Sequence, residues 1–161
     1  MAEQVIRLCT EQRLFIATAE SLTGGLITSE LVSIPGASQV VLGSVVAYQD
    51  SIKQQLLGVS AALISNQSSV DAEVCAQMAD GARERFAKAS GKDLASVIGI
   101  STTGVAGPED VAGHAAGEVF IGLSSASGVV VFGERFTGSR NEIRQAATVR
   151  AIEILREHLT R

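Results

Sequence analysis

Apolar positions recur along the chain at two spacings, and the switches between them outline its elements. In residues 2 to 13, Val5, Ile6, Leu8 and Cys9 fall at helical intervals among Glu3, Gln4, Arg7 and Glu11, which predicts an amphipathic helix. The run Leu14-Phe15-Ile16-Ala17-Thr18-Ala19 breaks that period. A short apolar run bounded by polar residues suits a strand buried on both faces of a parallel sheet, here ending near Glu20. Ser21-Leu22-Thr23-Gly24-Gly25 is a turn, after which Leu26, Ile27, Leu31 and Ile34 restore the helical period until Pro35-Gly36 stops it.

Val40 to Tyr48 is rich in β-branched residues and predicts a second strand, bent at Gly43. Asp50 is expected to cap a short helix that carries Lys53 and closes at Gly58. Residues 70 to 90 place Val74, Met78, Ala82 and Phe86 four apart on one long helix, ended by Gly91. Leu94 to Ser101 predicts a third strand, followed by a glycine-rich loop from Thr102 through Thr103 and Gly104 to Pro108. Val119 to Leu123 and Val129 to Phe132 flank Ser127-Gly128 as a hairpin. A last helix spaces Ile143, Ala147, Ala151, Leu155 and Leu159 four apart. Strands alternating with helices, then a hairpin, predict an α/β sandwich with a mostly parallel sheet and one antiparallel strand. Without repeats or linkers, residues 1 to 161 read as a single domain. Ligands of such sheets sit beyond the carboxyl ends of the strands, where both glycine loops fall.

Composition narrows the partners. Thirteen Lys and Arg against seventeen Asp and Glu leave a net charge of -4, so no positive excess is present to neutralise a nucleic-acid backbone. With no Trp, one Tyr and five Phe, stacking platforms for single strands are scarce as well. The charged start MAEQVIRLCTEQR is unlike a signal peptide, and VVLGSVVAY is far short of the roughly 20 residues of a membrane span. A cytoplasmic protein without membrane or nucleic-acid partners is expected, with Cys9 and Cys75 as packed thiols. The apolar composition also leads to the expectation of a homodimer.

The first loop joins a carboxylate, Glu20, to the hydroxyls of Ser21 and Thr23 and to Gly24 and Gly25, just before a helix. It admits two readings: an anion seat built from exposed helix N–H groups, or an ordinary hydroxyl N-cap. Neither a Gly-Lys-Ser/Thr loop nor Gly-x-Gly-x-x-Gly is present here. His114 and His158 stand alone, so neither a metal nor a Ser-His-Asp triad is expected, and no cofactor is called for. His158 fits a complement to the dipole of the last helix. A serine nucleophile would need another base. Lys53 is the candidate, because a lysine removed from water gives up its proton more readily, with Tyr48 to orient it. The alternatives are a solvated lysine and a strand-end packing tyrosine. Arg140, Arg144 and Arg150 are either solvated or placed to receive a phosphate.

These residues form an ordered set: Thr-Ala-Glu-Ser-x-Thr-Gly-Gly, Pro-Gly-x-Ser, Gly-x-Val-x-x-Tyr with Lys five after the Tyr, Leu-Gly-Val, Thr-Gly-x-Ala-Gly-Pro and Gly-x-Arg-x-x-Ile-Arg. From about Leu14 to the last helix the chain resembles the C-terminal domain of the competence/damage-inducible protein CinA, the nicotinamide-nucleotide amidase family. The resemblance implies a three-layer α/β/α sandwich with a mixed, mostly parallel five-stranded sheet. It implies hydrolysis of the carboxamide of nicotinamide mononucleotide, in pyridine-nucleotide recycling, with Ser21 as nucleophile, Lys53 as base and Tyr48 assisting. Ser38, Thr103 and Arg140 would hold the substrate, Arg140 at the phosphate, with Thr23, Gly24, Gly25 and Gly104 lending loop contacts. Amide hydrolysis needs a nucleophile, a proton shuttle and oxyanion donors, and one missing donor costs roughly 3 to 4 kcal/mol of barrier. The chain departs from the pattern at Leu22, where cysteine is common. It departs again at Ser69-Val70-Asp71-Ala72 and at Glu109 to Gly117, which replaces a glycine-rich stretch with Lys-Pro-x-Gly. The other reading is a non-catalytic nucleotide-binding or sensor module that keeps the pocket.

Overall fold

Five strands form one sheet in the order β2-β1-β3-β4-β5 in a computed structural model that describes residues 1–161. They are β1 (Phe15–Glu20), β2 (Val41–Val46), β3 (Val97–Gly104), β4 (Glu118–Ser125) and β5 (Gly128–Arg135). β1 pairs in parallel with β2 and β3, while β4 is antiparallel to both β3 and β5. One strand therefore opposes the other four, as the hairpin requires. The helices are α1 (Ala2–Gln12), α2 (Leu26–Val32), α3 (Asp50–Leu57), α4 (Ala61–Gln67), α5 (Ala72–Ser90) and α6 (Arg140–Leu159).

The two faces of the sheet carry different side chains, and this sorts the helices. Ile16, Ile98, Ile100, Val119, Ile121 and Leu123 project to one side, where α1, α2 and α6 close the larger core of 23 buried residues. The opposite side presents Ala17, Ala19, Gly99, Ser101 and Gly122, so α5 lies almost on the strand backbones. A Cβ on Gly99 would stand 2.0 Å from the Ala79 carbonyl oxygen, and one on Gly122 would stand 2.8 Å from that of Cys75. Ser101 Oγ donates to the same Cys75 oxygen at 2.7 Å. Both cysteines are fully buried, and burial pushes their thiols up to about 12, which keeps them protonated in the core.

Several boundaries move. The third strand runs from Val97 to Gly104 rather than from Leu94 to Ser101, because Asp93 accepts from Ala95 N and turns Leu94–Ser96 into a 3-10 turn. Thr102, Thr103 and Gly104 are thus strand residues, not loop residues. Asp50 is the first residue of α3 and not its cap; Gln49 holds that position with no side-chain bond. Helix α4, capped by Ser60 Oγ, was hidden by its Ala-Ala-Leu-Ile-Ser-Asn-Gln sequence, which buries no residue. The bend at Gly43 is present: Ile16 pairs with Val41 and Ala17 with Gly43, leaving Leu42 bulged. His158 stands in the last turn of α6 as expected, where burial and then Arg161 hold its pKa below the usual value.

Gly81 sets the distance between α5 and α3, because a Cβ there would lie 1.9 Å from the Leu57 carbonyl oxygen. Gly81→Ala gains about 1 kcal/mol of helix propensity but must push a backbone apart, and overpacking of this kind costs about 1 to 3 kcal/mol. The expected outcome is a net loss of stability by urea denaturation; a gain would show that α3 does not rest on α5 at this point.

Candidate active site

The carboxyl ends of β1, β2 and β3 lie side by side, since Glu20 pairs with Val46 on one flank and with Thr102 on the other. Residues just beyond them are therefore gathered whatever their distance in sequence. Ser21 N donates to the Thr102 carbonyl at 3.0 Å and Ala47 N to that of Glu20 at 2.9 Å, which fixes both exits from the sheet. There a cavity of about 420 Å³ opens, walled by Ser21, Tyr48, Lys53, Thr103, Gly104 and Arg140.

Ser21 is 8% and Lys53 2% exposed, so both reacting candidates are removed from bulk water. Lys53 reaches this position because α3 starts directly after the Tyr48-Gln49 turn. Its Nζ donates to Asp50 Oδ1 at 3.1 Å, one turn back on α3, and not to Ser21 Oγ. A catalytic hydrogen bond of this kind often tightens only when substrate arrives. Tyr48 is 57% exposed at the cavity wall, and its hydroxyl accepts from Arg140 Nη2 at 2.9 Å. Arg140 Nη1 donates to the Gly107 carbonyl at 2.8 Å. The arginine thus joins the loop after β3 to the exit of β2, with three of its five N–H donors left over. Thr103 Oγ1 faces the Ser69 carbonyl at 2.6 Å, and a Cβ on Gly104 would meet the Glu118 carbonyl at 2.5 Å.

The structure does not bring Ser38 or the Thr23 hydroxyl into this cavity, and Gly24 and Gly25 do not line it. Ser38 lies exposed in the turn before β2, at the opposite end of a six-residue strand and hence roughly 20 Å away along the sheet. Thr23 is buried with its hydroxyl on Thr102 Oγ1 at 2.8 Å, while Gly24 and Gly25 shape the turn with φ of 61° and 96°. The N–H groups at the helix end of that loop go to Glu20 rather than to a hydroxyl cap or an anion. The Glu20 carboxylate accepts from Gly25 N, Ile27 N, Thr28 N and Thr28 Oγ1 at 2.7 to 3.1 Å. The start of α2 is therefore capped by the strand's own last residue, with neither a hydroxyl cap nor donors left for an anion.

The two other candidate arginines of α6 are engaged elsewhere. Arg144, one turn along α6 from Arg140, donates from Nε to the Leu22 carbonyl at 2.9 Å and from Nη2 to that of Thr23 at 3.0 Å. It holds the serine turn instead of waiting for a phosphate. Arg150 is ruled out as a phosphate ligand by ion pairs to Glu134, Glu153 and Glu157. Ser69 and Glu109 also line the cavity, within the two segments where the chain departs from the family pattern. No three His, Cys, Asp or Glu side chains gather closely enough to hold a metal ion, and no helix is long and apolar enough to cross a membrane.

Glu20→Gln tests the cap. The amide keeps the size but turns an NH2 group toward N–H donors, and hydrogen bonds to a charged group are worth about 1.5 to 3 kcal/mol each. We expect about 2 to 3 kcal/mol of lost stability, read as a melting temperature lower by roughly 5 to 10 °C. A shift below about 1 °C would mean that α2 is held by packing alone.

The family model of the CinA C-terminal domain matches residues 1–159. A CinA-like protein of Geobacter metallireducens is 40% identical over 156 residues, 96% of this chain and 36% of that protein. The chain spans about a third of the length of the curated relatives it matches. Among solved structures, the competence/damage inducible protein CihA of Agrobacterium tumefaciens superposes with a TM-score of 0.86 at 31% identity, covering 99% of this chain and 95% of that one. A CinA superfamily protein of Klebsiella pneumoniae reaches a TM-score of 0.88 at 27% identity, with the same coverage. With the family model matched over residues 1–159 and a relative 40% identical over 96% of this sequence, the chain belongs to the CinA C-terminal domain family.

Proposed function

We propose that the domain is a nicotinamide-nucleotide amidase, hydrolysing the carboxamide of nicotinamide mononucleotide to nicotinate mononucleotide and ammonia. The observation that carries this reading is a serine and a lysine, both withdrawn from water, on the walls of one cavity in a member of this family. Ser21 Oγ attacks the amide carbon as Lys53 Nζ takes its proton, and the C=O electron pair moves onto oxygen. The C–N bond then breaks, the same proton leaves with the amine as ammonia, and an ester of Ser21 remains. Water, losing a proton to Lys53, attacks that ester, and Ser21 recovers its proton as the acid departs. Arg140 bonds the substrate phosphate with its spare donors, while Tyr48 holds Arg140 in place. Neither a metal nor a cofactor takes part in these steps.

A binding-only module is the second reading, and the Lys53 contact with Asp50 in place of Ser21 favours it. Ammonia release separates the two. The purified domain is expected to liberate ammonia from nicotinamide mononucleotide without added metal, in step with nicotinate mononucleotide by chromatography. Bound nucleotide with no ammonia above a heat-killed control would establish the binding module instead.

Binding and chemistry then divide between two variants. Arg140→Ala removes charge-assisted bonds worth about 1.5 to 3 kcal/mol and is expected chiefly to raise KM, by roughly 10- to 100-fold. Ser21→Ala is expected to abolish kcat while nucleotide binding by calorimetry stays nearly intact. Turnover largely retained in Ser21→Ala would point to direct attack by water and leave the serine a turn residue.

A further inference from the structure

We infer that the backbone N–H groups of Leu22 and Thr23 form the oxyanion hole beside Ser21, and that Arg144 is the positioning residue that aims them. The inference deepens the amidase reading and rests on its nucleophile, though not on the identity of the nucleotide.

The argument starts from where each N–H of the turn goes. Ser21 N donates to the Thr102 carbonyl, Gly24 N to that of Ser21 and Leu26 N to that of Thr23. Gly25, Ile27 and Thr28 give theirs to the Glu20 carboxylate. Leu22 N and Thr23 N meet no acceptor in the protein, although the two residues are only 4% and 0% exposed. Buried backbone donors are almost always paired, and two consecutive exceptions directly after a candidate nucleophile mark a place where an acceptor is to arrive.

Their direction is set by the carbonyls. In a trans peptide the C=O and the following N–H point opposite ways, and the chain's one cis bond is Gly107-Pro108, remote from this turn in sequence. The Ser21 carbonyl turns back to Gly24 N, which sends Leu22 N–H the other way. The Leu22 carbonyl is drawn toward α6 by Arg144 Nε, which sends Thr23 N–H away from α6. Nη2 holds the Thr23 carbonyl as well, and a Cβ on Gly24 would lie 3.2 Å from that nitrogen, so the guanidinium rests on the turn's backbone. Leu22 lines the cavity beside Ser21. As negative charge develops on the carbonyl oxygen, two preset donors stabilise it without reorganisation, whereas bound substrate before attack gains far less.

Arg144→Lys and Arg144→Met test this against a merely structural role. Kinetically, kcat is expected to fall about a hundredfold, with KM changed by less than about threefold. The direct probe is pyridine-3-boronic acid: Ser21 Oγ adds to trigonal boron with loss of its proton, giving a tetrahedral borate whose oxygen occupies the hole, visible by boron NMR. The wild-type protein should form the adduct and Ser21→Ala should not. Both Arg144 variants should bind the boronate at least tenfold more weakly while affinity for nicotinate mononucleotide, the flat product, is unchanged. Equal losses for boronate and product, or no loss for either in folded variants, would overturn the assignment. So would amide turnover by a wild-type protein that forms no adduct. An Arg144-dependent adduct in a protein that leaves nicotinamide mononucleotide intact would sustain the oxyanion hole and reject only the substrate.

Discussion

The buried carboxylate of Glu20 is the contact on which the rest of the site depends. It ends β1, sits at 0% exposure and collects four hydrogen bonds from the first turn of α2. A buried charge is tolerated only where such donors surround it, and here they are also the N–H groups that a helix start leaves unpaired. One interaction thus settles two liabilities and fixes the angle at which α2 leaves the strand. It also decides where a ligand cannot go. With the start of α2 satisfied from within, the turn's remaining donors are those beside Ser21, and binding moves to the cavity between the exits of β1, β2 and β3.

The unequal faces of the sheet supply the second constraint. Isoleucine, valine and leucine on one side hold α1, α2 and α6 at an ordinary packing distance, whereas alanine, glycine and serine on the other let α5 approach the strand backbones. Because α5 sits so close, α3 can rest on Gly81 and carry Lys53 over the ends of the strands. α6 reaches the site from the opposite layer. Arg140 ties the loop after β3 to Tyr48, and Arg144, one turn on, holds the serine turn. Both layers therefore converge on a site to which neither contributes all the parts.

Local order was legible in the chain wherever one period dominated. The helix carrying Val74, Met78, Ala82 and Phe86, the buried run before Glu20, the bend at Gly43 and the final hairpin all follow from spacing and turn residues. The legible part ended where a tertiary contact competes with a local preference. Thr102 to Gly104 read as loop because of their hydroxyls and glycine, yet they pair with Glu20 and Val119 because neighbouring strands supply partners for their backbones. α4 has no apolar face to reveal it, and Asp50, suited by type to cap α3, takes the first helical position and faces Lys53 instead.

By itself, then, the sequence determined the alternation of elements, the single opposed strand, the two loops at the strand ends and the family to which their motifs belong. Those features depend on residues close together in the chain, whose periodicity and turn chemistry act locally. The tertiary structure decided which candidates meet. Ser21, Tyr48, Lys53, Thr103, Gly104 and Arg140 share a cavity, whereas Ser38 is left at the far end of β2. Arg140, Arg144 and Arg150 on one helix look equivalent in one dimension. In three, the first spans the cavity, the second holds the carbonyls of Leu22 and Thr23, and the third is spent on Glu134, Glu153 and Glu157. The reason is geometric: a helix turns about 100° per residue, so which side chain faces the strand ends depends on how α6 is docked, and docking is a property of the packed core.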